Sequence, residues 1–522
     1  MLLDFRETGA RGIFEADLCV IGAGAAGIAI ARELGGTRHS VVVLESGGLA
    51  LDDDVQALHR GTNTLDNFAL DLTRFRALGG TMLAWGGWCA PLDELDFQPR
   101  DWVPYSGWPI TRDDLLPYYE RAQPLCDLGR YRYEVAEWPE LADEALALDP
   151  EKLEHKLWQL SPPTRFGEKY ADELRSSPNV TVLLHATATE ILTHENTAAV
   201  REVRIASLGG RQAAVRAQAY VLACGGIETP RLMLASNRLE PAGLGNGHDL
   251  VGRFFMEHPH PDAGGVLFSE DTEILRAYVE RQLGTERAVL GFGPSERAQR
   301  RLGILNSSVA LRSALHFAPS EGWDSLIKLR RSIDNRQWPD SVATHVYNVL
   351  KDLDDVFREG YRRSRNGPMQ GFTLRARTET VPNPANRVTL DRERDALGMN
   401  RARLEWSFAA LDRVTVERTM TLLAEELGRL EAGRVRINEL LLRADDKWTE
   451  NLTWFGHHMG TTRMSDDPKQ GVVDRHCRVH GMSNLFVAGS SVFPTPSGAT
   501  PTLMLIALAI RLADRLKGTL LR

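Results

Sequence analysis

From Asp17 onward the chain shows two kinds of apolar pattern. Leu18-Cys19-Val20-Ile21 and Val41-Val42-Val43-Leu44 are continuous apolar runs of strand length, and Ile28 to Leu34 between them has helical spacing. Continuous apolar strands suit a parallel sheet covered on both faces, so this stretch reads as one βαβ unit. Strand patterns return at Val180 to Leu184 and at Ala219 to Ala223, the second ending in Cys224-Gly225-Gly226 before a helical Pro230 to Ala235. Residues 46–115 are rich in glycine, tryptophan and aspartate with little periodicity, which predicts ordered loops. A helix fits Arg112 to Gln123, with Thr111 as its N-cap ahead of Asp113 and Asp114. Between Ser325 and Arg363, Val342, Val346, Leu350, Leu353 and Phe357 recur at helical spacing among charges of both signs. A solvated helix face is the simpler reading, and docking to a partner or a membrane surface is the other.

Size and composition narrow the class. A chain of 522 residues exceeds one ordinary core, so two domains sharing a cleft are expected. With 43% hydrophobic and 25% charged residues it is an ordinary globular sequence, and its net charge of -8 argues against nucleic acid as a partner. The apolar run Leu18 to Ala31 is well short of the ~20 residues that span a bilayer, and Arg511 interrupts Leu503 to Leu516, which reads as a buried or amphipathic helix. No transmembrane segment is expected. Five cysteines without a C-x-x-C pair disfavour a disulfide framework, a zinc site or a haem attachment. Residues 1–15 lack a signal-peptide pattern, so a cytoplasmic location is expected, with co-export alongside a partner subunit as the other route.

The chemistry starts at Gly22-Ala23-Gly24-Ala25-Ala26-Gly27. In this G-x-G-x-x-G pattern the first glycine makes a tight turn, the second admits a pyrophosphate to the backbone, and the third lets the helix pack closely. Glu45 follows at the end of the second strand, roughly the 20 residues further on at which a carboxylate accepts hydrogen bonds from a ribose. A dinucleotide is implied, NAD or FAD. The later glycine-ended strands, Ala223 to Gly226 and Ala488-Gly489, fit a longer cofactor crossing a larger domain. Gly456-His457-His458-Met459-Gly460 and Gly498-Ala499-Thr500-Pro501-Thr502-Leu503 then favour a flavin with a proton acceptor beside it.

These blocks, with Gly79-Gly80-Thr81 through Trp85-Gly86-Gly87-Trp88 and Cys224 to Arg231, resemble the glucose-methanol-choline (GMC) oxidoreductases over about Asp17 to Leu516. Within that family the His-x-Met-Gly and Trp-Gly-Gly-Trp forms are closer to the pyranose oxidase, fructose dehydrogenase and glycoside dehydrogenase branch than to glucose oxidase. The resemblance implies a Rossmann-like FAD-binding domain with a parallel sheet (1–90, 175–255 and 470–522) and an α+β substrate-binding domain on an antiparallel sheet (91–174 and 256–469), with His457 at their interface. It places FAD against Gly22, Gly24, Ala25, Ala26, Gly27, Glu45 and Ser46, then Gly80, Thr81, Trp85, Gly86 and Gly87. Ala188, Ala223, Gly225, Gly489, Ser490, Thr500, Pro501 and Thr502 complete the expected contacts.

His457 matches the family's catalytic histidine. Hydride leaves an alcohol carbon only if the hydroxyl proton is taken, which a neutral imidazole can do. His458 reads as structural or substrate-contacting. The second catalytic position, usually histidine or asparagine, falls on Thr500, which is also a good N-cap ahead of Pro501. The helix starting there would turn its positive end toward the flavin. Ala84 stands where pyranose oxidases carry the histidine joined to flavin, so FAD is expected to be non-covalent. His258 and His260 are expected to pack at the domain junction, since no third metal ligand stands at useful spacing, and no metal is expected. Glu379 to Arg387 reads as a strand entering the substrate domain, and Trp85 and Trp88 as lining the flavin loop. The expected reaction is oxidation of a sugar, glycoside or polyol hydroxyl, with a separate electron acceptor. An O2-using oxidase and a flavin-holding lyase or decarboxylase are the alternatives. A partner subunit or homo-oligomer is compatible with the sequence.

Overall fold

The computed structural model describes residues 1–8, 12–65, 68–261, 265–269, 273–313, 321–334, 341–354, 356–357, 360, 371–443, 448–449 and 452–520. The continuous apolar runs form neighbouring parallel strands. Ile13–Ile21 lies between Val41–Leu44 and Gln212–Leu222 in an eight-stranded sheet, whose path continues from Val41–Leu44 through Val180–Leu184 to Leu2–Asp4. Leu485–Val487 adds in parallel to the end of Gln212–Leu222, while Val200–Ala206 and Thr187–Thr193 extend the sheet in antiparallel sense. Leu18, Cys19 and Val20 are buried on both faces, with helix Ala25–Leu34 packed on the strands and on helix Pro501–Arg515. Burying each such aliphatic side chain stabilises the fold by about 1.5–3 kcal/mol.

A second eight-stranded sheet is antiparallel. Its path runs Arg434–Ile437, Gly265–Phe268, Gly371–Thr378, Ser307–Ser313, Glu286–Pro294, Leu153–Leu160 and Trp88–Cys89, and Arg281–Leu283 pairs with Glu286–Pro294. Gly371–Thr378 alternates strictly between half-buried and buried positions. Phe372, Leu374 and Ala376 join the core under helix Ala410–Arg429, and Thr373, Arg375 and Arg377 occupy the opposite face. The chain is thus an α/β protein with a parallel-containing sheet and a separate antiparallel one.

A short ladder matters most for the site. His260–Pro261 pairs antiparallel with Leu452–Thr453, and Met256 and Met459 exchange backbone hydrogen bonds of 3.0 and 2.9 Å. Residues 256–261 therefore lie alongside 452–459, although about 200 positions separate them in the chain.

Two elements differ from the sequence reading, and a third follows it. The helix expected over Arg112 to Gln123 begins only at Leu116, with Pro117 in its first turn, because Thr111 and Asp114 spend their side chains on each other's backbone N–H and close a turn instead. Glu379 to Asn386 is a loop rather than a strand, because Pro382 and Pro384 have no N–H for a ladder, and only Arg387 begins a strand, Arg387–Arg394. The segment from Ser325 to Arg363 forms helices Glu321–Asp334 and Val342–Lys351, which pack on each other and leave Tyr347, Leu350 and Phe357 exposed. The rest of that expectation, over 335–340, 355, 358–359 and 361–363, lies outside the described residues. Among the described residues no helix is long and apolar enough to cross a membrane.

Candidate active site

A cavity of about 410 Å³ opens where the parallel strands end, within the range of small-molecule and cofactor sites. One part of its wall is the glycine loop. Gly22 has φ +105°, and a Cβ there would meet the Ala223 carbonyl oxygen at 2.6 Å. Gly27 touches the same turn from the helix, and its Cβ would fall 1.9 Å from the Gly22 oxygen. Gly24, Gly225 and Gly489 differ from these, because nothing lies within 4 Å of where a Cβ would stand and all three line the cavity. That is the space a dinucleotide backbone needs. Glu45 holds the loop, accepting from the backbone N–H of Ala23 at 3.0 Å and of Gly47 at 2.9 Å. Burial pushes its pKa up while those bonds oppose the shift.

Neighbouring charges are answered within the wall. Glu228 takes Arg74 and Arg76 at 2.6 Å each and Arg231 at 3.0 Å. Burial raises the pKa of Glu228, but the three guanidinium groups hold it well below the usual carboxylate range. Arg76 also donates to Ser46 Oγ, and Arg165 fixes the tryptophan loop by donating to the Met82 and Trp85 carbonyls.

The cavity wall includes Gly22, Gly24, Ala25, Ala26, Glu45, Ser46, Gly80, Thr81, Trp85, Gly86, Ala188, Ala223, Gly225, Gly489, Ser490, Pro501, Thr502 and His457, all expected from the sequence. Ala84 and His458 line it as well. Gly27, Gly87 and Thr500 sit behind the wall. Gly87 packs against Ser161, and the Thr500 hydroxyl donates to the Trp88 carbonyl at 2.7 Å. Thr500 holds the N-cap position of helix Pro501–Arg515, but its side chain makes no capping bond. Trp88 packs against Trp158 rather than on the wall.

The histidine part of the wall comes from the short ladder. Alternation along residues 256–261 puts His258 and His260 on one side, and the facing segment brings His457 to them. Ring nitrogens of all three lie within 4.8 Å of one another. This corrects the expectation that His258 and His260 lack a third partner, because the partner came from the far end of the sequence. Their chemistry argues against a cation. The Nδ1 atoms of His258 and His457 are 3.0 Å apart and share one proton, and Arg377 adds positive charge to all three rings.

Hydrogen-bond logic fixes the tautomers. His258 Nε2 faces the carbonyls of Ser497 at 2.9 Å and Pro496 at 3.2 Å, so it carries a proton. Burial, with Arg377, pushes the His258 pKa down to about 3, so the ring is neutral and its Nδ1 is a lone pair. His457 Nδ1 must then donate, which leaves His457 Nε2 unprotonated and without a hydrogen bond to any described residue. Burial, His258 and Arg377 together hold the His457 pKa well below its ordinary value. Glu257 accepts from the His457 backbone N–H at 2.9 Å, and burial raises its pKa to about 8. His458 Nε2 lies 3.7 Å from Glu257, but burial lowers His458 to about 3, so both are uncharged at neutral pH and the contact is no ion pair. Glu257 and His258 were absent from the sequence-derived site. The only local sign was Glu257-His258-Pro259-His260, whose partner the sequence does not show.

Two family models match the chain: FAD dependent oxidoreductase over residues 17–243, and GMC oxidoreductase over residues 382–509. These and the fold define an FAD-dependent oxidoreductase. Residues 382–509 thus carry a GMC oxidoreductase domain. The fructose dehydrogenase large subunit of Gluconobacter japonicus is 26% identical over 59% of this chain and 48% of its own length, so the match spans about half of that protein. The 6'''-hydroxyparomomycin C oxidase of Streptomyces lividus is 26% identical over 95% of this chain and 90% of its own. Among solved structures, pyridoxine 4-oxidase from Mesorbium loti superposes with a TM-score of 0.60 at 17% identity, covering 96% of this chain and 99% of that one, a likeness of fold.

Proposed function

We propose that this protein oxidises a hydroxyl group of a sugar, glycoside or related polyol to a carbonyl, with His457 as the general base and FAD held non-covalently. The observation that carries the reading is the tautomer chain, in which the Pro496 and Ser497 carbonyls orient His258, and His258 leaves the Nε2 lone pair of His457 free at the cavity wall. Bound FAD supplies the electron-pair acceptor. His457 takes the hydroxyl proton, and once protonated it still donates through Nδ1 to His258. Burial keeps the base in its accepting form across the neutral range.

FAD would lie along the glycine loop, Glu45, the Gly80–Gly86 loop, Ala188, Ala223, Gly225 and Gly489. The N-terminal end of helix Pro501–Arg515 would turn its positive dipole into the cavity. Ala84 offers no atom for a covalent link. We assign residues 1–90, 175–255 and 470–522 to FAD binding and 91–174 and 256–469 to the substrate side. Relatives named for fructose, 6'''-hydroxyparomomycin C, paromamine and 2-methyl-1,2-propanediol support a hydroxyl donor. A separate electron acceptor is favoured.

An anaerobic screen of sugars, glycosides and polyols, read by loss of oxidised-flavin absorbance, tests the reading. Some members should bleach the flavin. Product formed while the flavin stays oxidised would overturn it in favour of lyase chemistry. With a working donor, dye reduction that outpaces peroxide formation marks a dehydrogenase, and the reverse marks an oxidase. The relatives named oxidases keep that second outcome in view.

A further inference from the structure

The antiparallel sheet turns one face toward the 497–500 loop. Ser308 Oγ donates to the Gly498 carbonyl at 2.7 Å, and Gly498 packs on the backbone of Ser307. Cross-strand pairing puts Ser308, Ala310 and Arg312 on the same face as Thr373, Arg375 and Arg377. Next to them, Gly291 leaves the room that the Trp158 ring fills, since a Cβ there would stand 2.4 Å from it. Arg312 lies 4.3 Å over the ring of Trp88, which packs edge-on against Trp158. Arg375 lies 5.4 Å over Phe455, a residue of the cavity wall, and Arg377 is close enough for its charge to depress the pKa of His457.

Elsewhere carboxylates answer several buried arginines, although Arg463 is buried with only the Tyr105 carbonyl as its acceptor among the described residues. Arg100 meets Glu379 through two bonds of 2.7 and 2.5 Å with both side chains fully buried, and Arg74, Arg76 and Arg231 share Glu228. Arg312 and Arg377 have no carboxylate partner and no side-chain hydrogen bond among the described residues, and the Nε of each is buried and unbonded. Burial and the mutual repulsion of Arg312, Arg375 and Arg377 push Arg377 down to about 9. A cluster like this costs folding free energy unless an anion answers it. The chain as a whole carries a net charge of -8, so the cluster is no part of a general cationic surface.

We propose that Arg377, whose charge reaches His457, and its neighbour Arg312 recognise an anionic group, a carboxylate or a phosphate, on the hydroxyl compound that this enzyme oxidises. As substrate recognition the inference rests on the proposed role of His457. Guanidinium forks match both oxyanions through paired hydrogen bonds.

The test uses the holoenzyme and two matched sets: glucose, glucuronate and glucose 6-phosphate, and glycerol, glycerate and glycerol 3-phosphate. Dissociation constants are measured by calorimetry without oxygen, and flavin absorbance is followed in parallel. In at least one set a charged member should bind about 30-fold or more tightly than its neutral partner. That preference should weaken as salt is raised and fall toward one in both Arg377→Met and Arg312→Met. The carboxylate and phosphate arms show which anion the site takes. Equal binding of neutral and charged members overturns the inference, as does a preference that survives both substitutions, even if the neutral compounds bleach the flavin and the proposed reaction stands. Preferred binding of the anions with no bleaching by any compound does the reverse, keeping the anion site and removing the reaction.

Discussion

The two parts of the cavity wall treat their polar groups in opposite ways. Beside the glycine loop, Glu45 is tied to two backbone N–H groups and Glu228 to three arginines, so this wall is held before any ligand arrives. Beside His457, both ring nitrogens of His260 and one oxygen of Glu257 are buried without a hydrogen bond among the described residues, and His457 Nε2 bonds to no described residue. Charge follows the same division. Glu228 is ionised by its neighbours, whereas burial keeps Glu257 protonated near neutral pH. A wall that only has to hold a cofactor can satisfy its carboxylates internally. A wall that has to move a proton leaves a lone pair open and keeps its neighbouring acid protonated, so that no fixed negative charge captures the proton.

The largest expected effect breaks the histidine wall. His457→Ala should slow flavin reduction by a donor by about 10² to 10⁴ while FAD stays bound. Rapid-mixing absorbance measures the rate and the flavin spectrum reports binding. An unchanged rate would remove His457 from the chemistry and leave the two walls functionally alike.

The matching blow to the other wall acts on stability. Glu228→Gln strips the charge that three buried arginines share, and breaking a buried pair typically costs about 3–5 kcal/mol. Urea unfolding at pH 7 should show that loss. Because the native pKa of Glu228 is depressed, its contribution is present above the ordinary carboxylate value near 4.5 and is lost as pH falls below it. The gap between variant and wild type should therefore narrow in acid. A constant gap would mean that shape, not charge, is what Glu228 contributes.

How legible each wall was follows from the same difference. Gly22, Gly24, Gly27 and Glu45 lie in one βαβ unit, so local spacing carries their geometry, and the structure puts all but Gly27 on the cavity wall. Gly27 supports the turn from behind through a contact too close for any side chain. His457 stood out through its motif, but Glu257 and His258 reach it across an antiparallel ladder between segments remote in sequence. Nothing in a single sequence records that pairing. Arg312, Arg375 and Arg377 were missed for a related reason: alternation shows that a strand has two faces without saying which one meets the cavity. Thr500 shows the limit of a motif position, since its hydroxyl is occupied by the Trp88 carbonyl.

His258 offers a smaller and more selective test. His258→Gln keeps a polar side chain but removes the ring that sets the His457 tautomer, and flavin reduction should slow on the order of 10²-fold with FAD affinity retained. The pH profile should change with it, because His457 would no longer be bound to choose Nδ1 for its proton. A rate within a factor of a few of wild type would reduce His258 to packing. Thr500→Ala should do less, about 0.5–1.5 kcal/mol of stability from one lost hydrogen bond, with flavin reduction changed only a few-fold. A loss comparable to that of His457→Ala would instead place the hydroxyl in the catalytic step.

The smallest effect in acid is expected at Glu257, and it separates the walls most cleanly from Glu228. Burial raises its native pKa to about 8, so below its unfolded value near 4.5 the carboxyl is protonated in native and unfolded chains alike, and there Glu257→Gln replaces one neutral acceptor by another of similar shape, with a cost of about 1 kcal/mol or less. The sign of the pH dependence is opposite to that of Glu228. A carboxyl with a raised native pKa stabilises fully below its unfolded value near 4.5, and that contribution disappears as pH climbs through 8. Wild type should therefore lose stability between about pH 4.5 and pH 8 relative to Glu257→Gln, and the variant should be the more stable of the two at the upper end. Urea midpoints across that range decide it, and parallel curves for the two proteins would mean that Glu257 is already ionised and that the histidine wall carries a fixed charge like the other.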